Sequence, residues 1–65
     1  MQPYQERVVN EEIELKDKLT KLEAFNASEL IKSLPVEAQV LLRMQAAYML
    51  AYHTTLLQRI NWFED

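Results

Sequence analysis

The first third of the chain carries its hydrophobic positions at helical spacing. Tyr4, Val8, Glu11, Leu15, Leu19 and Leu22 follow at intervals of four and three, which lays a largely apolar stripe along one face of a helix. Pro3 suits the opening turn of that helix, and Glu11, Glu12 and Glu14 precede Lys16, Lys18 and Lys21 in the order the helix dipole favours. The pattern predicts a helix over residues 3–24. Phe25-Asn26-Ala27-Ser28 breaks the periodicity, with Asn26 or Ser28 available to cap the next helical turn. A short helix over 28–33 then presents Leu30, Ile31 and Leu34 as plugs. Ser33-Leu34-Pro35-Val36-Glu37 is a strong start signal, with Ser33 or Leu34 at the cap, and predicts a second long helix over 35–62, about 40 Å at 1.5 Å per residue.

In that second helix Leu42, Met49, Leu56 and Phe63 repeat every seven residues, and Gln45, Tyr52 and Arg59 stand at the complementary positions, an unusually polar second row. The fold class is all-α: an antiparallel two-helix hairpin with a short connecting turn, one domain over 1–65. One partner helix covers only one stripe of the second helix. Yet 18 of the 28 residues from Val36 to Phe63 are apolar, more than a monomer tolerates on its surface. A chain of 65 residues with neither cysteine nor a metal motif also lacks the usual staples of small scaffolds. Assembly into a helical homo-oligomer is therefore expected.

Composition narrows the chemistry. Glycine is absent, so phosphate-cradling loops and nucleophile elbows are out of reach. A formal charge of −3 argues against duplex DNA and anionic membranes as partners. The longest apolar run, Ala46–Tyr52, is far too short to cross a bilayer, and the first residues do not read as a signal peptide, so the expected location is cytoplasmic. His53 is the only histidine and has no carboxylate three or four positions away, which favours a structural or exposed role over a metal ligand. No serine or threonine has the partners of a catalytic triad, so the chain does not read as an enzyme. No cofactor is implied.

Anion binding stands apart from these exclusions. Arg7, Glu11, Glu14, Lys18 and Lys21 follow one helical face. Glu12–Lys16, Glu14–Lys18 and Asp17–Lys21 are also well-oriented i,i+4 pairs, and mutual pairing is the plainer account of those charges. Tyr4 lies near the chain start, poorly placed for a core and well placed to stack on a planar ligand. Tyr48, Tyr52 and Trp62 read as core or interface. Arg59 interrupts an apolar row and must be paired, interfacial or ligand-facing.

The run Y-Q-E-R-V-V-N-E, then E-L-K-D-K-L-T-K-L-E-A-F, then L-P-V-E-A-Q-V-L-L-R-M-Q-A-A-Y-M and Y-H-T-T-L-L-Q-R-I-N-W-F resembles the small phage anti-CBASS sponges, whose hairpin domain is shared with the anti-Thoeris sponges. The order and spacing of these segments over residues 4–63 are more specific than any one of them. The resemblance implies a protein that binds cyclic oligonucleotide second messengers without cleaving them, as a compact hexamer, in the cytoplasm of an infected host. Cyclic dinucleotides such as cyclic GMP-AMP would lie between N-terminal helices of different subunits. On this sequence Tyr4 resembles the residue that stacks on a base and Lys18 the phosphate partner, with Thr20 beside it; Arg7 and Lys21 join them from the charged face. For a separate cyclic trinucleotide pocket, Gln5 and Arg59 are the matching positions. The alternative is a structural helical bundle that engages another protein.

Overall fold

The structure is a computed structural model that describes residues 1–63. Its order is a long helix α1 (Pro3–Asn26), a short 3-10 turn (Glu29–Ser33) and a second long helix α2 (Val36–Asn61). The two helices pack against each other along their length. Tyr4 meets Phe63 at one end and Asn26 meets Leu42 at the other, so they run antiparallel in a rod of 48 × 14 × 14 Å.

The seam follows a strict alternation of threes and fours. On α1 it is formed by Gln5, Val8, Glu12, Leu15, Leu19, Leu22 and Asn26, all buried or half-buried. On α2 it is Gln39, Leu42, Ala46, Met49, His53, Leu56, Ile60 and Phe63. The heptad of Leu42, Met49, Leu56 and Phe63 therefore faces α1 as its spacing predicts. The complementary row does not: Gln45, Tyr52 and Arg59 are exposed, and Gln39, Ala46, His53 and Ile60 stand in their place. On α1 Gln5 is buried where Tyr4 is exposed, and of the two half-buried glutamates it is Glu12, not Glu11, that reaches across to His53. Residues one step apart lie about 100° around a helix, and a core this thin has room for a single stripe.

Val8, Leu15 and Leu56 form the centre of that core, with Met49, Ile60 and Phe63 against them. Ile31, from the 3-10 turn, is as fully buried as Leu56. The turn is built by side chains bonding to backbone. Ser28 caps it, accepting from the Leu30 N–H at 3.2 Å and donating to the Phe25 carbonyl at 2.7 Å. Asn26 does not cap. It ends α1, two residues past the expected stop, and its Nδ2 donates across the hairpin to the Leu42 carbonyl at 3.2 Å. α2 begins one residue later than expected, with extended Pro35 as its cap: the Pro35 carbonyl accepts the Gln39 N–H at 3.1 Å, and the Gln39 amide donates to the Leu34 carbonyl at 2.8 Å.

Away from the seam α2 stays apolar. Val36, Val40, Leu41, Met44, Tyr48, Leu50, Tyr52 and Leu57 are all exposed, distributed around the sides that α1 does not cover. Among the described residues no helix is long and apolar enough to cross a membrane.

Candidate functional site

The candidate residues divide between two helices and several surfaces. Tyr4 occupies the first turn of α1 and is 51% exposed as a residue, its ring edge-on against Phe63. Arg7, Lys18 and Lys21 are exposed and share its face of α1, as their spacing predicts. Fourteen residues separate Tyr4 from Lys18, about 21 Å along the axis. One chain does not bring the two together.

Lys21 is held by Asp17 at 2.9 Å, the one i,i+4 pair expected on this helix that forms among the described residues. Lys18 makes no ion pair with Glu14 or any other described residue, and Glu12 turns away from Lys16 toward α2. Its Oε2 lies 3.3 Å from His53 Nε2, and both side chains are largely shielded from water. Sequence spacing along one helix could not find this pair, because its members are 41 residues apart and meet only when the hairpin closes.

Thr20 follows Lys18 by two residues, which turns it about 200° around the helix. It lines a shallow groove of about 400 Å³ with Glu12, Ile13, Lys16 and Asp17, and Lys18 is not part of that groove. Gln5 and Arg59, the two trinucleotide positions, differ in exposure. Gln5 is buried, and its Oε1 accepts the Gln2 N–H at 2.8 Å. Arg59 is exposed and lines a groove of about 440 Å³ with Tyr4, Thr55, Gln58, Trp62 and Phe63. That groove carries an aromatic platform beside a guanidinium, the pairing that holds planar anionic ligands. Two of its members were read differently from the sequence: Phe63 as the last of the heptad, which it is, and Trp62 as core or interface, whereas in the hairpin it is exposed.

A third groove, about 530 Å³, is apolar and runs along α2 between Leu41, Met44, Gln45, Tyr48, Met49 and Tyr52. Among the described residues no group of three or more histidine, aspartate or glutamate side chains is placed to hold a metal ion.

Comparison with known proteins gives one finding. Neither a curated protein nor a solved structure matches the chain significantly. The profile of the Sequestin family matches residues 2–62, a span that takes in both helices, the turn and every candidate residue from Tyr4 to Arg59. The family's name denotes sequestration, in keeping with the resemblance to anti-CBASS and anti-Thoeris sponges. The chain belongs to the Sequestin family.

Proposed function

We propose that this protein binds cyclic oligonucleotide second messengers and holds them without cleaving them, which blocks bacterial CBASS immunity during phage infection. Its site of action is then the host cytoplasm. Cyclic dinucleotides such as cyclic GMP-AMP occupy a pocket completed by two subunits of a homohexamer, and cyclic trinucleotides take a second site at Gln5 and Arg59. The observation that carries this reading is the separation of Tyr4 and Lys18. Both are exposed on one face of α1, yet they stand about 21 Å apart, too far to grip one small ring in a single chain. An antiparallel second copy of α1 would set the Tyr4 of each chain near the Lys18 of the other, and a two-fold pocket then offers two phenol rings and two ammonium groups to a nearly two-fold ligand. The exposed apolar sides of α2 supply the surface on which copies associate.

Each residue has a task in that pocket. Tyr4 stacks on a base, Lys18 meets a phosphate, and Arg7 and Lys21 add positive potential along the same face, Lys21 once it leaves Asp17. Thr20 is two residues from Lys18 on another side of α1, so its contact with a ligand in the two-fold pocket would come from a third subunit of the hexamer. Sequestration requires affinity and no turnover, and the single histidine is engaged in the helix seam with Glu12.

The test is incubation with a panel of cyclic di- and trinucleotides, calorimetry, and denaturation followed by chromatography. Heat release with intact ligand recovered is the expected result; linear products would make the protein a hydrolase. The apolar groove from Leu41 to Tyr52 favours a second reading, a helical bundle that docks another protein. Silence across the whole panel, with a protein retained on the wild-type chain and lost with Tyr48→Glu, would select it.

A further inference from the structure

We propose that Phe63 and Gln5 are positioning residues that hold the Tyr4 ring in the plane on which a base stacks. The proposal rests on the reading of Tyr4 as the stacking residue. Tyr4 sits in the first turn of α1, and helix ends fray unless something ties them down. A ring at that place has no fixed plane of its own. Two contacts supply one.

Phe63 meets Tyr4 edge-on, with ring centroids 5.8 Å apart and planes at 81°. This is the arrangement in which the positive edge of one ring lies on the negative face of the other. Phe63 is itself held twice: its side chain packs on the Val8, Leu15 and Leu56 core, and its N–H donates to the Ile60 carbonyl at 3.0 Å. Tyr4 is thereby tied to the centre of the hairpin rather than to a loose end of it.

Gln5 closes the turn from the other side. It is only 3% exposed, and its Oε1 accepts the Gln2 N–H at 2.8 Å while the Gln2 carbonyl accepts from the N–H groups of Gln5 and Glu6 at 3.0 and 3.1 Å. The bond is part-buried, so water competes with it less than at an open helix end. Together the two contacts order the phenol ring of a residue that stays exposed, beside Arg59 and Trp62 in the same groove. Ordering the ring in advance removes an entropy loss that a free side chain would suffer on binding.

The experiment titrates cyclic GMP-AMP into the wild type, Phe63→Leu, Phe63→Tyr, Gln5→Leu and Tyr4→Ala, and records the NMR shifts of the Tyr4 ring protons in the ligand-free proteins. Phe63→Leu should weaken binding about three- to tenfold, the share of an aromatic pair, with helicity and sedimentation unchanged. Gln5→Leu keeps the volume but removes the acceptor, and should weaken binding as well. Phe63→Tyr retains the ring and should restore affinity to within about twofold. The Tyr4 ring protons should lose their displacement in Phe63→Leu and keep it in Phe63→Tyr. Full affinity in Phe63→Leu and Gln5→Leu, with Tyr4→Ala inactive, would overturn the positioning role and leave sequestration standing. Equal loss in Phe63→Tyr and Phe63→Leu would also overturn it. If the wild type binds no cyclic nucleotide, the sequestration reading fails, and unchanged Tyr4 ring shifts in Phe63→Leu would then refute the positioning on their own.

Discussion

Five polar side chains lie in the seam between the helices, and each has a bond that makes its burial tolerable: Gln5 to the Gln2 N–H, Glu12 to His53, Asn26 to the Leu42 carbonyl and Gln39 to the Leu34 carbonyl. Among the described residues, Asn26 Oδ1 alone is a buried side-chain polar atom without a partner. Buried polar groups are costly when unpaired, so the two bonds that cross between helices, Glu12–His53 and Asn26–Leu42, penalise a slip of one helix past the other. The Glu12–His53 pair is the clearest case because it joins α1 to α2 in the middle of the rod. Glu12→Ala should destabilise the fold by about 1–3 kcal/mol. The double variant with His53→Ala should cost less than the sum of the two single changes, which thermal or urea unfolding of the four proteins measures. At the proposed ligand site the expected outcomes are sharper. Tyr4→Ala and Lys18→Ala should each abolish cyclic dinucleotide binding by calorimetry while the assembly keeps its size. Loss of a stacked base alone is worth about 1–3 kcal/mol, up to roughly a hundredfold in affinity.

At the scale of elements, α2 has two unlike duties. One stripe, from Gln39 to Phe63, serves the hairpin, and the remaining apolar side chains face outward. Leu56 is the fulcrum of the first duty. It is 1% exposed and sits with Val8 and Leu15 at the centre of the core. Leu56→Ala should cost about 2–5 kcal/mol, since the surrounding side chains can close only part of the cavity it leaves. Leu57, the next residue, is exposed and should tolerate alanine in the separated hairpin; a large loss from Leu57→Ala would place it in a contact between copies. The short turn matters through its cap. Ser28→Ala removes both the bond from the Leu30 N–H and the bond to the Phe25 carbonyl, and should lower stability by about 1 kcal/mol.

For the whole molecule the balance of burial is decisive. Among the described residues five hydrophobic side chains are buried in the hairpin, Val8, Leu15, Leu19, Ile31 and Leu56, against a longer series left exposed on α2. A two-helix rod 14 Å across has no second layer to cover them. The expected outcome in sedimentation at micromolar concentration is an assembly larger than one chain, with a Tm that rises with protein concentration. Tyr48→Glu places a charge on the uncovered side of α2 without touching the seam, and should shift the protein toward smaller species; a single folded chain in the wild type would remove the shared pocket from consideration.

Much of this was legible in the chain itself. Helical residues without glycine, the Pro3 and Pro35 start signals and the Leu42–Phe63 heptad determine two long helices and an antiparallel return, because these are local preferences and a period of 3.6. The exposure of Tyr4, Arg7, Lys18 and Lys21 along one face follows from the same period. The second row of the seam was not legible. Gln39, His53, Gln5 and Glu12 are polar, and a search for apolar stripes passes over polar residues whose partners lie on another element. Only the packed hairpin could decide that His53 meets Glu12 and that Phe63 meets Tyr4 edge-on, since each contact joins residues remote in sequence whose geometry exists only after the helices close.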